Sequence, residues 1–203
     1  MLALAPPAHA ARDPEAEQYV AENASVALRT LGDRSVPQAQ RQQTFNRLMA
    51  QFSDMPRIAN FVLGRYGAQL RADPALRAEW ARTFQDYAIA VYEVRLEQYS
   101  GSAIRVVNSI ERVEGRDVIV VSEMTPRGAA RPLRVQWRIL RSGEAWKVVD
   151  VSLVLEGNEI WLAQQQQRDF LALLDGNDGD IHALMAELRR LTAGLRQRTL
   201  AGR

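Results

Sequence analysis

The chain lacks several kinds of residue on which common protein chemistries depend. None of its 203 residues is a cysteine, which excludes disulfides, thiol catalysis and cysteine metal sites. Of its two histidines, His9 lies close to the N-terminus and His182 stands alone within a helical pattern. Neither a histidine metal site nor a Ser-His-Asp triad can be assembled from them. We therefore expect no metal and no other cofactor.

Long apolar runs and phosphate-binding loops are missing as well. No stretch reaches the roughly 18 apolar residues that span a bilayer, and the glycines of residues 64–67 have the wrong spacing for a phosphate loop. With 47% hydrophobic and 25% charged residues, the chain fits one globular domain with a substantial core. Lys147 is the only lysine, so nearly all of the positive charge is arginine. Arginine suits bidentate contacts to carboxylate or phosphate, although a GC-rich genome produces the same bias.

The first ten residues resemble the end of a secretory signal. Residues 1–10 contain a short apolar portion, and Ala8-His9-Ala10 matches an A-x-A cleavage site. A plain alanine-rich leader is the alternative. We expect a signal-peptide remnant at residues 1–10, followed by a single domain over residues 11–203 that is exported to the periplasm.

Apolar residues at intervals of three and four predict helices over residues 13–99. Asp13, Asp54 and Asp73 each stand just before a first turn that contains proline, which predicts three helix N-caps. The longest helix begins after Asp73 and ends near residue 98. Its apolar stripe consists of Leu76, Trp80, Phe84, Tyr87, Val91 and Val94. Such a stripe either packs flush in a core or faces a cavity.

After Ser102 the apolar residues alternate with polar ones, which predicts an antiparallel sheet. Turns around Gly115, Gly128 and Gly143 separate its strands. The four expected strands cover residues 103–113, 116–125, 132–141 and 145–155.

Helical spacing returns after the sheet. Asn158 is the expected N-cap of a helix that begins at Glu159, and Asp178 is the expected cap of a last helix. The sequence thus predicts an α+β fold. Its parts are a helical segment over residues 13–99, a sheet over 102–156 and a second helical segment over 158–200.

Asp150 is the one candidate acid or base. It is flanked by valines on a predicted strand, and an apolar pocket could raise its pKa enough for proton transfer. Carboxylates in this position also hydrogen-bond turns or pair with arginine, and that role remains the alternative.

Several short motifs resemble the MlaC family, also called the toluene-tolerance or ABC-transporter auxiliary component. The motifs are RIANFVLGRY at residues 57–66, WKVVDV at 146–151, Gly157, and RDF at 168–170. They occur in the family's order and spacing, and the similarity extends over roughly residues 15–195. The resemblance implies a four-stranded curved sheet with helices before and after it, a nuclear transport factor two-like cone that encloses an apolar cavity.

The same resemblance implies a function. Members are periplasmic lipid carriers that shuttle lipid between inner and outer membranes, as the component of an ABC-type system that meets membrane-anchored subunits. We accordingly expect a monomer that is not an enzyme and binds no nucleic acid. The ligand is phospholipid in the main branch. Residues 160–167, IWLAQQQQ, and 179–184, GDIHAL, are more similar to the hopanoid-associated branch called HpnM, so hopanoid is the second candidate.

A lipid carrier of this shape needs a dry cavity between the sheet and the long helix. The apolar residues expected to line it are Phe61, Val62, Tyr66, Phe84, Tyr87, Val91, Val135, Trp137, Val149 and Val151. Each could instead belong only to the core. Two other functions stay open: an enzyme that uses Asp150 with Tyr66 or Tyr87, and an adaptor with a filled core that docks transporter subunits through its arginine surface.

Overall fold

The structure, a computed structural model, describes residues 12–97, 99, 102–125, 131–155 and 157–201. The expected signal-peptide remnant at residues 1–10 lies outside them. The helices are α1 (Pro14–Gly32), α2 (Gln38–Phe52), α3 (Met55–Val62), α4 (Gln69–Ala72), α5 (Pro74–Glu97), α6 (Leu162–Asp175) and α7 (Ile181–Ala201), with a 3₁₀ turn at Gly64–Ala68. The strands are β1 (Ile104–Val113), β2 (Asp117–Met124), β3 (Leu133–Ser142), β4 (Ala145–Leu155) and β5 (Asn158–Trp161).

Three helices begin where the sequence predicts. The side chain of Asp13 accepts a hydrogen bond from the backbone N–H of Ala16 at 2.9 Å, which caps α1. Asp54 caps α3 in the same way, and Asp73 accepts from the N–H of Leu76 at the start of α5. Each cap satisfies a backbone donor that the helix itself cannot pair.

The five strands form one antiparallel sheet in the order β1-β2-β3-β4-β5. Residues directly opposite one another carry their side chains on the same face, so Val120, Trp137 and Val151 form one row across the inner face. A register shift between Arg138 and Ile139 bulges β4 against β3. The alternation read from the sequence therefore produces an apolar inner face.

The fifth strand corrects two predictions, because the expected sheet had four strands and Asn158 was expected to cap a helix beginning at Glu159. Residues Asn158–Trp161 instead pair with the edge of β4, with Leu153 opposite Ile160. Gly157, at φ +83°, allows the sharp reversal that brings the chain back. Pairing then satisfies backbone groups that β4 would otherwise leave open.

The expected cap of the last helix is also wrong. The backbone N–H of His182 donates to Oδ1 of Asp180 at 2.7 Å, so Asp180 holds the first turn of α7. Asp178, at φ +51°, belongs to the preceding turn.

The helices cover the inner face of the sheet. α1 packs against β1 and β2, while α3 and α6 pack against β4. α5 lies in the middle of the helical layer, where it contacts α1, α2, α3 and α7. Within the described ranges, no helix is long and apolar enough to cross a membrane.

Candidate functional site

An apolar cleft lies between the inner face of the sheet and the helices α1, α2 and α5. Small alanines of α1, larger residues of α2 and the C-terminal half of α5 form its helical wall, and β3 and β4 form the opposite wall. Representative lining residues are Ala27, Met49, Phe52, Tyr92, Trp137 and Val151.

Two charged residues, Arg95 and Asp150, are among those that line the cleft, and two other polar groups beside it are paired with protein atoms. The indole N–H of Trp137 donates to Oγ of Ser122 at 2.8 Å, and the hydroxyl of Tyr19 donates to the carbonyl of Phe52 at 2.9 Å. Burial raises the pKa of Tyr19 to about 12 and also raises the pKa of Tyr92, so both phenols are neutral at physiological pH. The cleft therefore presents a surface suited to hydrocarbon.

The cleft is narrow in this structure, with a volume of about 40 Å³. One water molecule needs about 10–15 Å³ by the same measure, so the space would hold about three. An acyl chain needs far more room. Any apolar ligand of that size must widen the cleft by moving the helical wall away from the sheet.

Asp150 joins the cleft to α6. Its Oδ1 accepts hydrogen bonds from the backbone N–H groups of Val151 and Ala163, each at 2.8 Å. Trp161, the residue before α6, offers no side-chain cap, so Asp150 supplies the cap from β4. Burial raises the pKa of Asp150, while the bonds from the backbone, including that of Gln164, and the charge of Arg138 oppose the rise. Of the roles that the sequence left open for Asp150, the structure shows hydrogen bonding to the backbone.

A second pocket of about 500 Å³ lies on the other side of Asp150, between the helices α3 and α6 and the strands β3 and β4. Its lining includes Arg57, Arg138 and Arg168, and we call it the arginine pocket. Ile58 and Asp150 line both this pocket and the apolar cleft. The two spaces are therefore neighbours separated by single side chains.

The residues expected to line a cavity fall into several places. Val135, Trp137 and Val151 line the cleft, whereas Phe61 and Val149 line the arginine pocket. The two groups share one region of the molecule.

The other five expected residues lie elsewhere. Phe84 and Tyr87 pack against Phe170 with ring centroids 6.3 and 5.8 Å apart. Val62 is fully buried in the core, and Val91 is half-buried on α5. The hydroxyl of Tyr66 donates to Asp175 at 2.6 Å. Neither Tyr66 nor Tyr87, the expected enzymatic partners of Asp150, is among the described residues that line the cleft.

Sequence reasoning missed the cleft residues of α1 and α2. Ala24, Ala27, Met49 and Phe52 follow a helical spacing, and that spacing is the same for a core and for a cavity wall. The small size of the two alanines was the one available signal. No group of three or more histidine and acidic side chains able to hold a metal occurs in the part of the chain that is described.

The fold and the cleft together define a class of protein: an α+β domain that keeps an apolar space between a curved antiparallel sheet and its helices. Residues 21–190 match the family model described as MlaC protein. The chain belongs to the MlaC family, as its motifs had indicated.

A solved structure has the same fold. It is a phospholipid-binding protein from Ralstonia solanacearum, determined in complex with a phospholipid. The two proteins superimpose with a TM-score of 0.73 at 20% sequence identity, and the match covers 89% of this chain and 98% of the other. No curated protein sequence matches this chain.

Proposed function

We propose that this protein is a periplasmic carrier that holds a lipid, phospholipid or hopanoid, in its apolar cleft. It moves that lipid between the inner and outer membranes as one component of an ABC-type transport system. Membrane-anchored subunits at the two membranes load and unload it.

The observation that carries this proposal is the lining of the cleft. Apolar side chains, most of them from α1, α2, α5, β3 and β4, surround one space, and the polar groups of Tyr19 and Trp137 beside it are paired with protein atoms. A packed core needs no such space, because a void forfeits contacts on every side. Membership in the MlaC family and the fold shared with a phospholipid-binding protein support the same function.

The energetics require such a cleft in any lipid carrier. Each buried CH₂ is worth about 0.8 kcal/mol, so a chain of ~16 carbons in water costs on the order of 13 kcal/mol. A carrier must recover most of that energy by providing an apolar surface. The alanines of α1 and the flexible Met49 of α2 form a wall that can separate from the sheet and close again.

Native mass spectrometry of the purified protein tests this function. We expect a mass above that of the polypeptide, and organic extraction of that sample should release a lipid. Phospholipid in the extract would assign the chain to the main branch, and hopanoid would support the HpnM-like assignment.

The contrary result is equally clear. A bare polypeptide mass, together with no uptake of added phospholipid or hopanoid, would overturn the carrier function. An adaptor that docks transporter subunits would then explain the family membership better.

A further inference from the structure

We propose that the arginine pocket binds the anionic phosphate of a lipid head group while the acyl chains of that lipid pass Ile58 into the apolar cleft. This inference rests on the proposed function, because it assumes that the cleft holds lipid. It adds the place where the head group of that lipid binds and the residues that favour a phosphate there.

The pocket brings together three arginines that are distant in sequence. Arg57 comes from α3, Arg138 from β3 and Arg168 from α6, and all three line one space of about 500 Å³. A guanidinium group presents several donors in a plane and pairs with phosphate through two bonds at once. Three such groups around one space favour a phosphate over a neutral head group.

Positive charge exceeds negative charge among the described residues that line the pocket, which favours the binding of an added anion. Asp150 is the one acidic residue among the described residues that line it, and its Oδ1 already accepts two backbone bonds. Arg138 donates to both carboxylate oxygens of Asp117 at 3.2 and 2.8 Å. Asp117 also lies 3.7 Å from Arg112, so two arginines share that single carboxylate.

Arg57 and Arg168, at the rim of the pocket, make fewer hydrogen bonds to carboxylates than Arg138 does. Arg57 contacts Asp54 at 3.2 Å, and Asp54 also caps α3. Arg168 donates to the neutral amide oxygen of Gln165 at 2.6 Å, and no carboxylate pairs with it among the residues that the structure describes. Both side chains are exposed, so they can turn toward a phosphate at little cost.

The position of the pocket matches the shape of an amphipathic ligand. Ile58 and Asp150 form a shared wall with the cleft, so a head group in the pocket lies next to the space for its tails. Phe61, which is 42% exposed, supplies an apolar surface on the pocket side. Its ring suits the glycerol-ester region of a lipid, which lies between head group and tail.

The proposal separates the two candidate ligands. A phospholipid gains contacts with the arginines that a neutral polycyclic lipid or a diacylglycerol cannot make. Lipids with identical tails and different head groups therefore measure the contribution of the pocket by itself.

The test compares dioleoylphosphatidylglycerol with dioleoylglycerol in displacement of a fluorescent phospholipid from delipidated protein. The variant is Arg57→Gln/Arg168→Gln. We expect it to bind phosphatidylglycerol about tenfold more weakly than the unaltered protein, as loss of charge-assisted bonds at exposed arginines predicts. Dioleoylglycerol affinity should stay the same, which also reports that the variant is folded.

The control variant is Arg82→Gln/Arg190→Gln. It removes two arginines from the surface formed by α5 and α7, changes the net charge equally, and leaves the pocket intact. We expect it to bind both lipids like the unaltered protein.

Three outcomes would overturn the proposal. Equal loss of phosphatidylglycerol binding in both variants would indicate a net-charge effect. An unchanged preference for phosphatidylglycerol in Arg57→Gln/Arg168→Gln would place the head group elsewhere and leave the carrier function intact. Displacement by glycerol phosphate as effective as displacement by the lipid would identify the ligand as a free phosphate ester. Failure of the unaltered protein to bind any lipid would instead contradict the proposed function itself.

Discussion

The two halves of α5 face different kinds of interior. In the N-terminal half, Trp80 and Phe84 meet Phe170 of α6 in an aromatic cluster. Their ring centroids lie 6.2 and 6.3 Å from that of Phe170, both in edge-to-face geometry. In the C-terminal half, Tyr92 and Leu96 face the cleft. One helix thus borders a filled core and an open space.

The partner of each half accounts for the difference. α6 inserts a large ring between the helices, and Phe170 is 2% exposed. Opposite the second half, α1 presents Ala24 and Ala27, whose small side chains cannot reach across the gap. The cleft of about 40 Å³ follows from what faces α5 rather than from α5 itself.

The largest expected effect comes from breaking the filled half. Phe170→Ala should lower the free energy of unfolding by about 3–5 kcal/mol, because it removes a buried ring and leaves a cavity. Urea denaturation measures the change. Leu173→Ala is the control, since Leu173 lies on the same helix with 38% of its surface exposed. Equal costs for the two variants would contradict the tightly packed cluster.

A second variant fills the open half. Ala27→Phe should place a ring in the cleft, and overpacking should cost about 1–3 kcal/mol of unfolding free energy. If the cleft holds lipid, the amount of co-purifying lipid per folded molecule should fall severalfold. Native mass spectrometry measures that amount.

The matched control for the cleft is Val26→Phe. Val26 is the preceding residue on α1 and is 36% exposed, so its ring should point to solvent and leave lipid content unchanged. Full lipid content in Ala27→Phe would show that the lipid lies elsewhere.

A feature could be predicted from sequence when it depends on residues close to it in the chain. The caps at Asp13, Asp54 and Asp73 each join residues three positions apart, and local patterns predict such contacts well. The four long strands follow from alternation. The family could be identified because its main motifs are uninterrupted runs of residues.

Features that depend on distant partners could not be predicted. β5 forms because β4 offers an open edge, although residues 158–161 carry no strong strand signal of their own. Phe84 and Tyr92 lie on the same helix, α5, and whether each one faces the core or the cleft depends on α6 and α1. Arg57 and Arg168 lie more than a hundred positions apart, and the fold alone brings them to one pocket.

The smallest expected effect concerns Asp150, which both lines the cleft and caps α6. Asp150→Asn keeps an oxygen that can accept from Ala163. Asparagine caps helices about as well as aspartate, so we expect a change within about 1 kcal/mol near neutral pH. Urea denaturation at several pH values measures it.

The difference in unfolding free energy between Asp150→Asn and the unaltered protein should also depend on pH, and that dependence is the more discriminating measurement. Burial raises the pKa of Asp150 above its ordinary 3.8, so the folded protein binds this proton more tightly than the unfolded chain does. The residue's contribution to stability is then complete below pH 3.8 and is lost as the pH rises through the folded-state pKa. Asp150→Asn removes this titration, so the variant should gain stability relative to the unaltered protein as the pH rises. A constant difference across that range would mean that the hydrogen bonds from α6 fully offset the burial of the carboxylate.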